Sequence, residues 1–169
     1  MRWLVDGYNV IRHAPELAAR ERESLQAGRD ALCRLLDMAG RVSGDQFTVV
    51  FDGVRHGGAM GGGGVRVIYS SARETADRVL LRLATTGSAV VSNDRELRQA
   101  AARAGAIAIT SDEFLARLQR ARRPNIPDKD EDDETSTAPK KGSPRRLPKK
   151  ARAAARALGH LGRTPQGRR

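Results

Sequence analysis

Met1-Arg2-Trp3-Leu4-Val5-Asp6-Gly7-Tyr8-Asn9 opens the chain, and the reading of this stretch decides the fold. Trp3, Leu4 and Val5 are a short apolar run of the kind that makes a buried strand. The run stops at Asp6, and Gly7 permits a sharp turn before Tyr8 and Asn9. In an open α/β sheet, ligands bind beyond the carboxyl ends of the strands. A carboxylate at that edge can hold a cation, and the Asn9 carboxamide can add an oxygen ligand or orient a water. The same residues also suit a plain strand followed by an Asp-Gly turn.

The pattern recurs. Thr48-Val49-Val50-Phe51 is a second apolar run and ends in Asp52-Gly53; Ala89-Val90-Val91 is another and ends in Ser92-Asn93-Asp94. If the strands are parallel and adjacent, three carboxylates share one edge. Like charges that close repel each other unless something neutralises them, and a divalent metal ion is the usual solution.

Between these runs the chain reads as helix. Pro15-Glu16 is a helix start, and Leu17, Leu25, Leu32, Leu35 and Leu36 predict one long helix, or two broken near Gly28, ending at Gly40. Cys33, the only cysteine, falls at helical spacing as a small buried hydrophobe, so no disulfide framework exists. Val65 to Tyr69 alternates as a strand. Ser70 to Asp77 leads into a helix with a serine cap, and Glu74 and Asp77 lie three apart in its expected first turn. Asp77 is the stronger site candidate, while both acids would also suit a helix N-terminus. Asp94 opens a further helix, Ala106 to Ile109 is a last strand, and Ser111-Asp112-Glu113 caps a helix from Phe114 to about Arg122. Alternating strands and helices with short connections imply an α/β fold with a mostly parallel central sheet flanked by helices.

Val54 to Gly64 holds four consecutive glycines and is no phosphate-binding P-loop, because no Gly-Lys-Ser/Thr follows. It reads as a mobile loop beside the acidic edge, with Arg55, His56 and Arg66 able to meet phosphates; a plain connector fits equally.

Charge points to a polyanion. The chain of 169 residues has a formal net charge of +11, a pI near 11.0 and only 4% aromatic residues, a balance that favours nucleic acid first and an anionic membrane second. Residues 1–123 carry 19 Arg and no Lys against 14 acids, and residues 135–169 carry 11 Lys or Arg and no acids. Asp128 to Glu134 is a nearly continuous acidic run. Residues 1–122 therefore read as the folded domain and 123–169 as a disordered acidic-then-basic tail, in which Ala151 to Leu161 can become helical on a partner. RNA or the ribosome is the expected partner of the tail; no membrane-spanning run or signal peptide is visible, so a reducing cytoplasm is the expected setting.

Val5-Asp6-Gly7-Tyr8-Asn9, Val50-Phe51-Asp52, Glu74-Thr75-Ala76-Asp77 and Val91-Ser92-Asn93-Asp94, in this order and spacing, resemble the YacP-like branch of the NYN domains, relatives of the PIN-domain nucleases. The resemblance covers roughly residues 1 to 120. It implies a PIN-like fold and a Mg²⁺- or Mn²⁺-dependent ribonuclease, in expectation an endonuclease, that cleaves single-stranded RNA, with ribosome-associated mRNA as one target. By that resemblance Asp6, Asn9, Asp52, Asp77 and Asp94 are the catalytic positions, with Asp6, Asp77 and Asp94 the metal ligands. Arg55, His56, Arg66, Arg73 and Arg95 are the expected RNA contacts, and neither DNA nor a membrane is expected as partner. A phosphatase with an aspartyl nucleophile would want an acid where Tyr8 stands, and a receiver domain would want a late lysine that residues 1–122 lack. The competing reading is a non-catalytic RNA- or ribosome-binding module.

Overall fold

The computed structural model describes residues 1–53, 64–122 and 148–161. Five strands, β1 (Arg2–Asp6), β2 (Gln46–Phe51), β3 (Val65–Tyr69), β4 (Ser88–Val91) and β5 (Ile107–Ile109), form one parallel sheet in the order β3-β2-β1-β4-β5. The helices are α1 (Gly7–His13), α2 (Pro15–Glu23), α3 (Leu25–Ser43), α4 (Ala76–Leu83), α5 (Arg95–Arg103), α6 (Ser111–Arg122) and α7 (Lys149–His160).

The alternation along β1 sorts the core. Trp3 and Val5 point to one face, where Phe47, Val49, Phe51, Val91, Leu32, Leu36, Phe114 and Leu118 complete a buried cluster. Leu4 points to the other, against Val50, Val90, Val79, Leu80, Leu97 and Ala101 of the α4–α5 side. β1 precedes both of its neighbours in the chain and sits third in the sheet, with Arg2 beside both Gln46 and Ser88. The chain winds outward to β3 on one side, then returns to build β4 and β5 on the other. The strand order reverses at β1, so a crevice opens at its carboxyl end, between the elements that follow β1, β2 and β4.

Several boundaries differ from the sequence reading. Gly7 does not make a turn: it is the first residue of α1, with Asp6 as its N-cap. A Cβ on Gly7 would lie 2.3 Å from Phe51 Cε1, so glycine is required there by close approach to the core. The break in the first long helix falls at Ser24, whose extended backbone and hydroxyl, accepting from Ala27 N, start α3. Gly28 instead lets α3 pass within 3.0 Å (for an added Cβ) of Glu21 on α2. The helix after β3 begins at Ala76 with Thr75 as cap, not at the serines, and Glu74 lies outside it. Thr110 and Glu113 form a reciprocal capping box that starts α6 at Ser111.

The largest difference lies in the segment read as tail. Lys149–His160 is a helix docked on the domain, with Ala157 and Leu161 buried in the main core cluster and Ala154 and Leu158 packed beside them. That stripe at three- and four-residue spacing is amphipathic. The surface it packs on belongs to this chain's own fold. Most of the glycine-rich loop, including Arg55 and His56, and the acidic run Asp128 to Glu134 lie outside the described residues. No described helix is long and apolar enough to cross a membrane.

Candidate active site

Asp6 ends the central strand and caps α1: its Oδ1 accepts from Asn9 N at 3.3 Å and its Oδ2 from Ser92 Oγ at 2.9 Å. Ser92, just past β4, uses the same hydroxyl oxygen to accept from Asp94 N at 3.0 Å. Asp94 in turn caps α5, its Oδ1 accepting from Leu97 N at 2.9 Å. One hydroxyl thus ties the β1 carboxylate to the loop that presents the β4 carboxylate.

Asn9 adds a second tie. Its Oδ1 accepts from Asn93 N and from Ser111 Oγ, both at 2.8 Å, so α1, the β4–α5 loop and the start of α6 meet at one carbonyl oxygen. Asn93 extends the seam, with Oδ1 accepting from Ser111 N and Nδ2 donating to Asp112. Both lone pairs of the Asn9 oxygen are engaged, which sets it apart from the oxygen ligand read from the sequence; its position is that of a brace.

Across the crevice the arrangement is sparser. Asp52, exposed beyond β2, accepts a short hydrogen bond from Ser70 Oγ, and Ser70 Oγ also accepts from Gly53 N at 3.0 Å. Asp77 sits exposed in the first turn of α4. Glu74 turns to Arg82, at 3.0 Å, and that guanidinium holds its carboxyl below the usual value. Glu74 is therefore an ion-pair partner outside the site.

Asp6, Asn9, Asp52, Thr75 and Asp77 line one cleft of about 660 Å³ together with Tyr8, Arg12 and His13. The sequence reading missed the last two. On a helix beginning at Gly7, Asn9 and the pair Arg12 and His13 share a face by the three- and four-residue spacing, a signal hidden while Gly7 was read as a turn. His13 Nδ1 donates to Asn9 O at 2.7 Å, and the Arg12 guanidinium lies 5.5 Å from the Tyr8 ring. Tyr8 is held from behind by Arg29, only 6% exposed, which donates to its hydroxyl at 2.9 Å through Nε and again through Nη2. The Arg29 guanidinium also packs 5.3–5.6 Å from the rings of Tyr8, Phe51 and Tyr69. Among the described residues it has no carboxylate partner; aromatic faces and one phenol hold the charge.

The acids act on each other. Burial pushes the Asp6 carboxyl above its usual value, and Asp77 and Asp94 raise it further, against the lowering hydrogen bonds from Ser92 and Asn9. Asp77 is raised too, first by desolvation and then by Asp94 and Asp52. Three carboxylates, Asp6, Asp52 and Asp77, thus line one cleft, and Asp94, outside its lining, acts on Asp6 and Asp77 from the head of α5. Among the described residues no three His, Cys, Asp or Glu side chains form a ready-made metal cage. The donors are all oxygens, and their mutual repulsion is what a hard cation relieves. This fits Mg²⁺ or Mn²⁺ held by one or two direct carboxylates with most of its waters kept.

The expected RNA contacts scatter. Arg66, second in β3 and level with Thr48, lies toward the amino end of its strand, away from the acids at the carboxyl edge. Arg73 is exposed in the tight turn between Ser71 and Glu74, outside the cleft lining. Arg95 follows Asp94 at the start of α5 and borders a second cleft. Cys33 is buried and unpaired, its thiol pushed up to about 11 mainly by burial.

A family model described as the YacP-like NYN domain matches residues 3–157 of the chain. Two solved structures share its fold. The crystal structure of Rae1 (YacP) from Bacillus subtilis is 28% identical, with a TM-score of 0.59, covering 71% of this chain and 74% of that one. A mutant form of the same protein gives 28% identity and a TM-score of 0.61, covering 71% of this chain and 75% of that one. A comparison with curated proteins finds no match.

Proposed function

This chain belongs to the YacP-like NYN domain family, whose PIN-like nuclease fold supports a ribonuclease-type function, and on that premise we propose that it is a metal-dependent ribonuclease cutting single-stranded RNA. The observation that carries the reading is that Asp6, Asp52 and Asp77, brought from β1, the end of β2 and α4, line one cleft at the crevice where the strand order reverses, with burial first and neighbouring carboxylates second opposing the ionisation of Asp6 and Asp77. Carboxylates arranged only for stability would be spread apart or paired with arginines, as Glu74 is with Arg82.

Asp6, Asp77 and Asp94 would hold the Mg²⁺ or Mn²⁺, with Asp52 acting through water. Bound there, the ion would lower the pKa of a coordinated water and stabilise charge on the leaving oxygen of the phosphodiester. The chain's own part is positioning. The Ser92 hydroxyl and the Asn9 amide fix the Asp6 rotamer, and the Asn9 side chain locks α1 to the β4–α5 loop so that Asp6 and Asp94 keep their spacing. Arg12 offers a cation to a phosphate entering the cleft, and His13 lines the wall beside it. Tyr8, braced by Arg29, offers a ring beside it. Endonucleolytic cutting, action on ribosome-associated mRNA and a cytoplasmic setting are the finer parts of this proposal.

The non-catalytic RNA-binding alternative draws on one observation, that no closed carboxylate cage stands ready among the described residues. Purified protein incubated with end-labelled single-stranded RNA separates the two. Cleavage in Mg²⁺ or Mn²⁺, abolished by EDTA and by Asp94→Asn, is expected; asparagine still caps α5, so the fold survives. RNA that is bound but never cut in either metal supports the binding module.

A further inference from the structure

Lys149–His160 reshapes the surface next to the site. Arg117 of α6 donates to the carbonyls of Leu158 and Gly159, at 2.7 and 3.5 Å, fixing the carboxyl end of α7. With Ala157 and Leu161 seated in the core, α7 lies beside β5, the edge strand. Between α7 and α5 a second cleft of about 360 Å³ remains, lined by Arg95, Arg98, Lys150, Glu113 and small alanines of both helices.

Three cations face this cleft against one acid. Glu113 is already committed, its Oε2 accepting from Thr110 N at 3.0 Å and from Thr110 Oγ1 at 2.7 Å. Of the cleft's cations, Arg95 follows Asp94 directly in the chain, and Arg98 donates to the Ser92 carbonyl at 3.5 Å. Ser92 is the residue that holds Asp6. The cationic lining of this cleft thus begins one residue beyond Asp94, on the helix that Asp94 caps, and alanines of α5 and α7 line the rest of it.

We propose that α5 and α7 are the two walls of a groove that takes the phosphodiester backbone of single-stranded RNA leading away from the cut, with Arg95, Arg98 and Lys150 as its phosphate contacts. The inference rests on the ribonuclease reading and deepens it by giving the substrate a path. It also assigns α7 a function: the last helix is part of the substrate site, built from a segment that sequence alone presents as tail.

The experiment is a salt titration of binding, by fluorescence anisotropy, of a labelled 12-nucleotide single-stranded RNA to the full chain in EDTA, where no cutting occurs. Lys150→Glu and Ala151→Glu on exposed positions of α7 are compared with Arg22→Glu, a charge reversal in α2 outside the groove. Each α7 variant is expected to weaken binding about tenfold and, for Lys150→Glu, to reduce the slope of log affinity against log salt by about 0.7. Arg22→Glu is expected to stay within about twofold of the parent. Equal losses in all three variants, or none, overturn the groove while Mg²⁺-dependent cleavage by the parent leaves the ribonuclease reading standing. Groove-dependent binding without cleavage in any metal does the reverse. A duplex RNA or an acidic peptide bound more tightly than the single strand, with the same Lys150 dependence, overturns the assigned ligand.

Discussion

The carboxyl edge of the sheet has two unlike halves. On the β1–β4 side Asp6, Ser92, Asp94, Asn9 and Ser111 are linked by hydrogen bonds of 2.8–3.3 Å that cross three chain segments. On the β2–α4 side Asp52 leans on Ser70 alone, and no hydrogen bond to the Asp77 carboxylate occurs among the described residues. The wired half is rigid and partly buried; the other is exposed and adjustable. A site of this kind can hold the reacting atoms against one fixed wall while the opposite wall adapts to the ligand. Removing a side chain should therefore affect the two halves differently.

The largest expected effect is on catalysis. Asp6→Asn and Asp77→Asn should each lower kcat by about 10³-fold or more, since several kcal/mol of charge stabilisation are at stake. The halves separate in metal dependence: Asp77→Asn, on the adjustable side, should recover part of its rate at high Mn²⁺, whereas Asp6→Asn should not. Rates measured across a metal titration check this, and equal rescue of both erases the distinction.

Next comes stability. Asn9→Ala strands Asn93 N and Ser111 Oγ, and a buried donor without a partner costs about 1–3 kcal/mol. Asp77→Ala, which breaks no described hydrogen bond, should cost far less. Urea midpoints of the two variants give the comparison directly.

The smallest effect is the one with a sign to check. The Asp6 carboxyl is raised above 3.8 in the fold, so its neutral form is the one the fold favours. Its contribution to stability is fully present below the unfolded value and is lost as pH rises through the raised one. At pH 7 the charge is a cost, and Asp6→Asn, an equally good helix cap, should raise Tm by about 2–4 °C for each kcal/mol relieved. That gain should shrink as pH falls through the raised pKa and vanish below 3.8. A gain that is constant with pH would mean that packing, not charge, is responsible.

Most of the edge was legible in the sequence because a strand that ends in an acid carries both signals within a few residues. Asp6 and Asp52 follow their apolar runs directly, Asp94 follows its own after Ser92 and Asn93, and a parallel α/β pattern then brings them to one edge. What was hidden depended on contacts far apart in the chain. Asp-Gly reads equally as a turn or as a helix cap and first residue, and only the approach of Phe51 to Gly7 decides between them; with that decision went Arg12 and His13. Arg29 is one of several charged residues on its helix, and nothing local reveals that three aromatic rings from β2, β3 and α1 close over it. Residues 151–161 showed helical composition, but a segment of alanine and basic residues meets its partner only through tertiary packing on β5 and α6.

β1 lies in the middle of the sheet yet precedes both of its partner strands in the chain. Its residue Arg2 must wait for Gln46 on one side and for Ser88 on the other. Until then a run containing Trp3, Leu4 and Val5 has both edges open. Parallel pairing over such sequence distances closes large loops before it returns any contact, which slows folding and leaves apolar strand exposed to other chains. The strand that presents Asp6 is thus also the one separated from its second partner by the longest stretch of chain, and a nascent chain halted before β4 leaves that edge open.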